Sequence, residues 1–181
     1  MNINKEHILN ELLVLKTQDG DMKAFSLLVK RWHPALLKQA YRISGNDDAA
    51  LDIAQDTWQV IAKGIYKLQS PAAFKTWSFR IVSNKAVNWI RNQQKQRAIK
   101  NGNNELMLHE DQDEESGDIH LIQVALKELP ENSKIILSMF YMDDHSVKEI
   151  AQILSLSLGT VKSRLFYARK TLKEKFEKFK R

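Results

Sequence analysis

The sequence predicts an all-α protein made of two small helical domains joined by an acidic linker. Apolar residues recur at steps of three and four along most of the chain, as in amphipathic helices, and no useful length alternates as a strand would. Residues 1–97 carry 15 Lys and Arg against 8 Asp and Glu, whereas residues 98–118 carry 1 against 7 and residues 119–181 carry 12 against 7. The acidic middle has few large apolar groups for a core. We therefore predict domains over 1–97 and 119–181, with a linker over 98–118.

Composition narrows the classes of function. The 181 residues have a formal net charge of +6, which favours an anionic partner. There is no cysteine, the five histidines have no metal-ligand spacing, and we see no Gly-rich phosphate loop and no nucleophile with a base. We expect neither a metal nor another cofactor, and no enzymatic activity. Without a signal peptide or a long apolar run, the expected location is the cytoplasm.

The first domain begins with helices defined by their caps. One helix is predicted over 4–17, ended by Gly20. Its inward residues are predicted to be Ile8, Leu9, Leu12 and Leu15. Asp21 is expected to cap the next helix, and Pro34 to restart the chain at the first turn of another, which Gly45 ends.

The helix after Asn46 has a polar row opposite its apolar seam. The seam is Leu51, Ala54, Trp58, Ile61 and Ile65. The row is Asp52, Gln55, Asp56, Gln59 and Lys63. From the residues alone an ordinary solvated face is favoured. The alternative is a face that docks on another protein, with Ile53 and Val60 as apolar anchors at its edge.

A long helix is predicted over 72–97, with Pro71 near its first turn. Most of its first half is apolar, but one row stays polar: Arg80, Asn84, Asn88, Arg91 and Lys95. The row suits a solvated stripe. It also suits single-stranded DNA, because cations follow phosphates, amides read base edges and nearby aromatic rings stack on bases.

The second domain contains a predicted helix-turn-helix over 146–172. Before it, one helix is expected to end at Pro130 and another to follow, with Ile135, Ile136, Met139 and Phe140 in its core. Ser146 and Glu149 have the spacing of a capping box, and Ser157 is placed to cap the second helix of the pair. The inner face of that helix is Val161, Leu165, Ala168 and Leu172. Its outer face is Thr160, Lys162, Ser163, Arg164, Tyr167 and Lys170. This cationic face fits a DNA major groove, although a plain helical hairpin with a solvated face would look similar.

Three stretches together resemble bacterial σ70-family RNA polymerase sigma factors of the extracytoplasmic-function type. The segment 51–58, Leu-Asp-Ile-Ala-Gln-Asp-Thr-Trp, is similar to the family's polymerase-binding segment. The segment 74–84, with Asn88 and Arg91 beyond it, is similar to the segment that reads the promoter −10 element. Leu129-Pro-Glu, Glu149-Ile-Ala-Gln-Ile-Leu and Gly159-Thr-Val-Lys-Ser-Arg are similar to the domain called σ4. The resemblance implies a σ2-like domain, a linker and a σ4-like domain.

The resemblance also implies partners and roles. The partners are core RNA polymerase, through its β′ and β subunits, promoter DNA, and in many relatives an anti-sigma factor. Core polymerase would bind Asp52, Ile53, Gln55, Asp56 and Gln59. The −10 DNA would meet Lys67, Ser70, Arg80, Asn84, Asn88, Arg91 and Lys95. The −35 duplex would meet Ser157, Thr160, Lys162, Ser163, Arg164, Phe166, Tyr167 and Lys170.

The chain departs from the family pattern at three positions. Ser155 stands where the family often has Gly, so we predict a turn that needs no positive φ. Asn88 replaces a common Asp, and Tyr167 replaces a common cation, so the relatives' promoter preferences are not transferred. One alternative function is a stand-alone helix-turn-helix regulator, which would leave the aromatic-rich basic helix over 74–97 unexplained. A second alternative is an enzyme or a structural helical bundle whose basic faces are only solvated surface.

Overall fold

The computed structural model describes residues 3–100, 124–126, 129–143 and 145–179. These residues form helices and turns, with no β-strand among them, so the all-α prediction is confirmed. The chain divides into two compact units, Met1–Leu106 and Met107–Arg181. The predicted linker over 98–118 lies outside the described residues apart from 98–100, which belong to a helix, so its bounds stay a prediction.

Four helices build the first unit. They are α1 (Ile3–Gln18), α2 (Met22–Ser44), α3 (Asp47–Gly64) and α4 (Phe74–Lys100), with 3-10 turns at Ile65–Lys67 and Pro71–Ala73. Helix α2 contacts α1, α3 and α4 and so lies at the centre of the unit. The predicted caps are confirmed: Asp21 Oδ1 accepts from the backbone N–H of Lys23 at 2.8 Å, and Gly45 ends α2 at φ 63°.

Helix α2 runs through Pro34 without a break, so the prediction that Pro34 starts a new helix is wrong. Proline has no N–H, so the Lys30 carbonyl has no hydrogen bond from that position. Both Lys30 and Pro34 are exposed, and water can satisfy that carbonyl. Packing on three other helices keeps the two halves of α2 in one element.

The inward face predicted for α1 is also wrong. Its buried residues are Leu13, Val14 and Thr17. The four aliphatic residues expected inside are 44–59% exposed: Ile8, Leu9, Leu12 and Leu15. The helix has apolar residues on two opposite sides, so spacing alone could not say which side faces α2. Thr17 tolerates burial because its hydroxyl donates to the Leu13 carbonyl at 2.7 Å.

Four of the five residues predicted for the apolar seam of α3 and the turn after it are buried, namely Ala54, Trp58, Ile61 and Ile65, and the fifth, Leu51, is not. Leu51 is 53% exposed, whereas Ile53 is 5% exposed. The buried side of α3 also includes several small residues and Thr57. The buried hydroxyl of Thr57 donates to the Ile53 carbonyl at 2.7 Å. A threonine whose hydroxyl has a hydrogen-bond partner can be buried in the core. The spacing of apolar residues does not predict this, because it counts threonine as polar.

The second unit contains α5 (Glu131–Tyr141), α6 (Val147–Ile153) and α7 (Leu158–Phe179), with residues 124–126 also helical. Its fully or nearly buried side chains include Ile136, Met139, Ile150, Ile153, Val161, Leu165 and Ala168. The helix predicted to end at Pro130 is described only over 124–126, so the rest of that prediction lies outside the described residues. The helices predicted after Pro130 are confirmed.

Candidate nucleic-acid interface

The first helix of the helix-turn-helix, α6, is fixed at its start by a capping box. Ser146 Oγ accepts from the backbone N–H of Glu149 at 3.2 Å, and Glu149 Oε2 accepts from the backbone N–H of Ser146 at 2.8 Å. Each side chain satisfies an amide at the helix N-terminus that has no partner within the helix. Because α6 has only seven residues, this cap matters more than helix propensity.

The turn between α6 and α7 contradicts the expectation that no positive φ is needed. Ser155 has φ 54° and is the one non-glycine residue with positive φ in the described part of the chain. The N–H of Leu156 donates to the Ala151 carbonyl at 2.9 Å, and the N–H of Ser155 lies 3.4 Å from the Gln152 carbonyl. This is a Schellman ending, which requires a left-handed residue at that position whatever its side chain.

Helix α7 begins at the predicted cap. Ser157 Oγ accepts from the backbone N–H of Thr160 at 3.0 Å, and the two hydroxyl oxygens lie 2.7 Å apart. Two short hydroxyl side chains therefore stand together at the N-terminal turn of the helix. In a helix-turn-helix this is the end of the recognition helix that reaches base edges.

The outer face of α7 carries cations and aromatic rings in one patch. Lys162, Ser163 and Lys170 are exposed, and Arg164 is half-buried. Phe166 and Tyr167 are 62% and 63% exposed, and their ring centroids lie 5.4 Å apart. Large exposed rings beside cations suit contact with thymine methyl groups and sugars, while Lys and Arg meet phosphates or guanine. The structure brings this predicted set together on one helix.

Arg169 was not among the predicted site residues. Its guanidinium carbon lies 5.1 Å from the ring centroid of Phe140 and 5.4 Å from that of Tyr141. These cation–π contacts join α7 to the end of α5 and restrain the arginine beside the outer face. The contact joins positions almost thirty residues apart, so helical spacing could not reveal it.

The polar row of α4 is exposed along its whole length, as predicted. Arg80, Asn84, Asn88, Arg91 and Lys95 are all exposed. Fifteen residues separate the first from the last, about 22 Å along the helix axis. On the opposite side Phe79, Val82 and Ala86 are buried. The buried Ser83 hydroxyl accepts from Gln39 Nε2 at 3.2 Å, which ties α4 to α2.

The exposed face of α3 keeps four of the five residues predicted to bind polymerase. Asp52, Gln55, Asp56 and Gln59 are exposed. The expectation that Ile53 lies at the edge of this row as an anchor is wrong, because Ile53 packs in the core. Val60, at 40% exposed, and Leu51 supply the apolar surface instead.

The segment between α3 and α4 is held from two sides. Gln18 Nε2 donates to the carbonyl oxygens of Ile65 and Leu68, each at 2.8 Å. A Cβ placed on Gly64 would lie 3.0 Å from the indole ring of Trp77, so the chain passes close to that ring. The predicted site residues Lys67 and Ser70 are exposed in this segment. Sequence reasoning missed Gln18 because its partners are 47 and 50 positions away.

The described residues hold neither a metal-binding cluster nor a helix that could cross a membrane. No group of three or more His, Cys, Asp and Glu side chains is close enough to hold a metal ion within the described ranges. Among the described helices, none has the length and apolar character that crossing a membrane requires.

Comparisons with known proteins match both units. Sigma-70 region 2 matches residues 28–96, and Sigma-70, region 4 matches residues 119–172. The ECF RNA polymerase sigma-E factor of Haemophilus influenzae is 28% identical over 190 residues, covering 95% of this chain and 97% of that protein. The factor of the same name from Escherichia coli K12 is 27% identical over 192 residues, covering 95% and 96%.

Two solved structures are similar to this chain. The sigma factor RpoE of Bartonella quintana, determined with the anti-sigma factor NepR, has a TM-score of 0.68 and 25% identity, covering 86% of this chain and 98% of its own. CnrH, determined with the cytosolic domain of CnrY, shares the fold at a TM-score of 0.65 and 22% identity, covering 92% and 96%. Both sigma-70 regions match in order, and the alignment with the relatives spans almost their full length. The chain therefore belongs to the extracytoplasmic-function group of the sigma-70 family of transcription initiation factors.

Proposed function

We propose that this chain binds core RNA polymerase and directs initiation at promoters by reading the −35 duplex and the melted −10 strand. The observation that carries the proposal is that two exposed cationic faces lie on separate units, one along α4 and one along α7. Each face falls within the matched sigma-70 region that corresponds to it. We also propose that it acts in the cytoplasm and performs no covalent chemistry of its own.

We assign −35 recognition to the outer face of α7. The hydroxyls of Ser157 and Thr160 and the side chain of Ser163 are short enough for base edges near the helix N-terminus. Lys162 and Lys170 supply phosphate charge, and Arg164 is placed for either role. The exposed rings of Phe166 and Tyr167 add apolar contact with the groove.

We assign −10 recognition to the row on α4 and to the 3-10 turn before it. Arg80, Arg91 and Lys95 neutralise phosphates, while the amides of Asn84 and Asn88 have both donors and acceptors for base edges. Lys67 and Ser70 are exposed in the segment that we propose receives an unpaired base of the −10 element. Contacts that exist only with unpaired bases favour the melted promoter over the closed one.

We assign polymerase docking to the exposed face of α3, through Asp52, Gln55, Asp56 and Gln59. Two carboxylates and two amides suit a basic or polar helical surface on the polymerase. Leu51 and Val60 replace Ile53 as the apolar contacts, because both are exposed beside the row.

A regulatory partner is part of the proposal. The Bartonella quintana sigma factor was determined in complex with an anti-sigma factor. We extend this to the present chain: a protein that covers the α3 face or either cationic face would keep it from polymerase and DNA.

Run-off transcription with purified core polymerase tests the function. We expect start-site-specific transcripts from a subset of genomic fragments only when the protein is added. A stand-alone helix-turn-helix regulator would bind palindromic DNA as a dimer and give no such transcripts with core enzyme alone. The region 2 match and the basic row on α4 favour the sigma factor over that alternative.

Docking has its own test. Asp52→Arg with Asp56→Arg should abolish co-elution with core polymerase, because two attractive charges become repulsive. Binding of −35 duplex should remain, since these residues are in the other unit. Co-elution of the double variant with core polymerase would show that this face is only solvated.

A further inference from the structure

Gln18, the last residue of α1, makes two hydrogen bonds to the segment that follows α3. Its side-chain Nε2 donates to the carbonyl oxygens of Ile65 and Leu68, each at 2.8 Å. A glutamine amide has two N–H groups, and here both are used on backbone acceptors. The two bonds are partly buried, where solvent competes less for each donor and acceptor.

These two carbonyls bracket the 3-10 turn Ile65–Lys67. The Ile65 carbonyl also accepts from the backbone N–H of Leu68 at 3.1 Å, which closes the turn. One side chain from α1 therefore binds both ends of a turn that lies almost fifty residues later in the chain. Breaking these bonds would leave two partly buried acceptors without that donor.

The other side of the segment is restrained by Trp77. Its indole ring would lie 3.0 Å from a Cβ at Gly64, so the backbone is packed against the ring where α3 ends. Between these two restraints the side chains stay accessible: Tyr66 is 55% exposed, and Lys67, Gln69 and Ser70 are exposed as well. The segment combines a fixed backbone with free side chains, which is the arrangement that a preorganised binding loop needs.

We infer that Gln18 is a positioning residue for the segment 65–70, holding its backbone ready to receive an unpaired −10 base. This rests on the proposed function, which assigns Lys67 and Ser70 to −10 DNA. A loop that is already ordered loses less conformational entropy on binding than one that must be ordered by its ligand. The contribution of Gln18 should therefore appear in the capture of unpaired DNA, and not in duplex binding or polymerase docking.

The test compares wild type with Gln18→Met, which keeps a similar length without the two donors. Hydrogen exchange of the amides in 65–70 is measured on the full-length free protein, and we expect the Leu68 amide to exchange about tenfold faster in the variant. Holoenzyme made with core polymerase is then titrated with a single-stranded oligonucleotide that wild-type holoenzyme has selected from a random pool. We expect a loss of affinity of about tenfold, with core affinity and −35 duplex affinity changed less than twofold.

Gln152→Met, at an exposed position on α6, is the matched control and should leave both measurements unchanged. Gln18→Ala replaces Gln18→Met if tryptophan fluorescence shows that the first unit of the methionine variant does not fold. Faster exchange with undiminished capture of the oligonucleotide would overturn the inference, and so would unchanged exchange. If wild-type holoenzyme selects no oligonucleotide, the proposed function fails and the inference falls with it.

Discussion

The Nζ of Lys85 on α4 lies 3.1 Å from Oδ2 of Asp56 on α3. The side chains are 30% and 59% exposed. This ion pair joins the helix assigned to −10 DNA to the face assigned to polymerase. Asp56 therefore has a partner within the chain before any polymerase is bound.

Replacing Lys85 tests whether its ion pair with Asp56 contributes to the stability of the first unit or to the binding of core polymerase. Lys85→Met should lower the free energy of unfolding of the first unit by less than about 1 kcal/mol, because pairs this exposed contribute little. Core affinity should stay within about threefold, since the carboxylate of Asp56 remains available. Tryptophan fluorescence during urea unfolding measures the first quantity, as all four tryptophans lie in residues 1–97. A loss above about 2 kcal/mol would show that the pair supports the fold.

Ser155→Gly should stabilise the second unit by about 1 kcal/mol, because glycine accepts the left-handed conformation that serine holds at φ 54° at some cost. Since that unit has no tryptophan, hydrogen exchange of the α5–α7 amides measures the change. Ser163→Gly is the matched control: it lies inside α7 and should destabilise by about 0.5–1 kcal/mol. The same sign for both variants would contradict the assigned turn.

Gly64→Ala should destabilise the first unit by about 1 kcal/mol, because the new methyl group must displace the ring of Trp77 from 3.0 Å. The fluorescence of the folded protein should change with it. Gly159→Ala is the control, since the nearest atom would be 3.9 Å away and the gain in helix propensity should prevail. A stabilised Gly64→Ala variant would mean that the indole moves freely.

Lys162→Ala should weaken −35 duplex binding and reduce the salt slope of log K by about one unit, as expected for one phosphate contact. Arg164→Ala should also weaken binding, with a larger effect on sequence preference if its guanidinium reads a base. Fluorescence anisotropy over a salt series separates the two. Lys178→Ala is the control, because it lies on the same helix about 24 Å beyond Lys162 along the axis. An equal loss at all three positions would indicate charge attraction without a defined contact.

The features that the sequence predicted correctly are those that depend on interactions between residues close together in the chain. The capping box of Ser146 and Glu149, the caps at Asp21 and Ser157, and the polar row of α4 all depend on residues two to four apart. They are found as predicted because those interactions form within one helix or turn.

The wrong predictions involve neighbours that are distant in sequence. Leu12 and Leu13 are equally apolar, and only the packing of other elements against α1 decides that Leu13 is buried. Thr57 can be buried because its hydroxyl donates to a carbonyl within the same helix, and the buried side of α3 includes Ile53 and leaves Leu51 exposed. The roles of Gln18 and Arg169 depend on partners in other elements, and a single sequence does not reveal such pairs.

Helix α6 has seven residues, too few to be stable alone, and it is bracketed by a capping box and by the left-handed Ser155. The direction in which α7 leaves this short helix is thus encoded by a handful of positions that need never touch a base. In evolution, a substitution at one of these positions could change the direction of α7 and so alter which genes are transcribed. Every DNA-facing residue of α7 would stay the same.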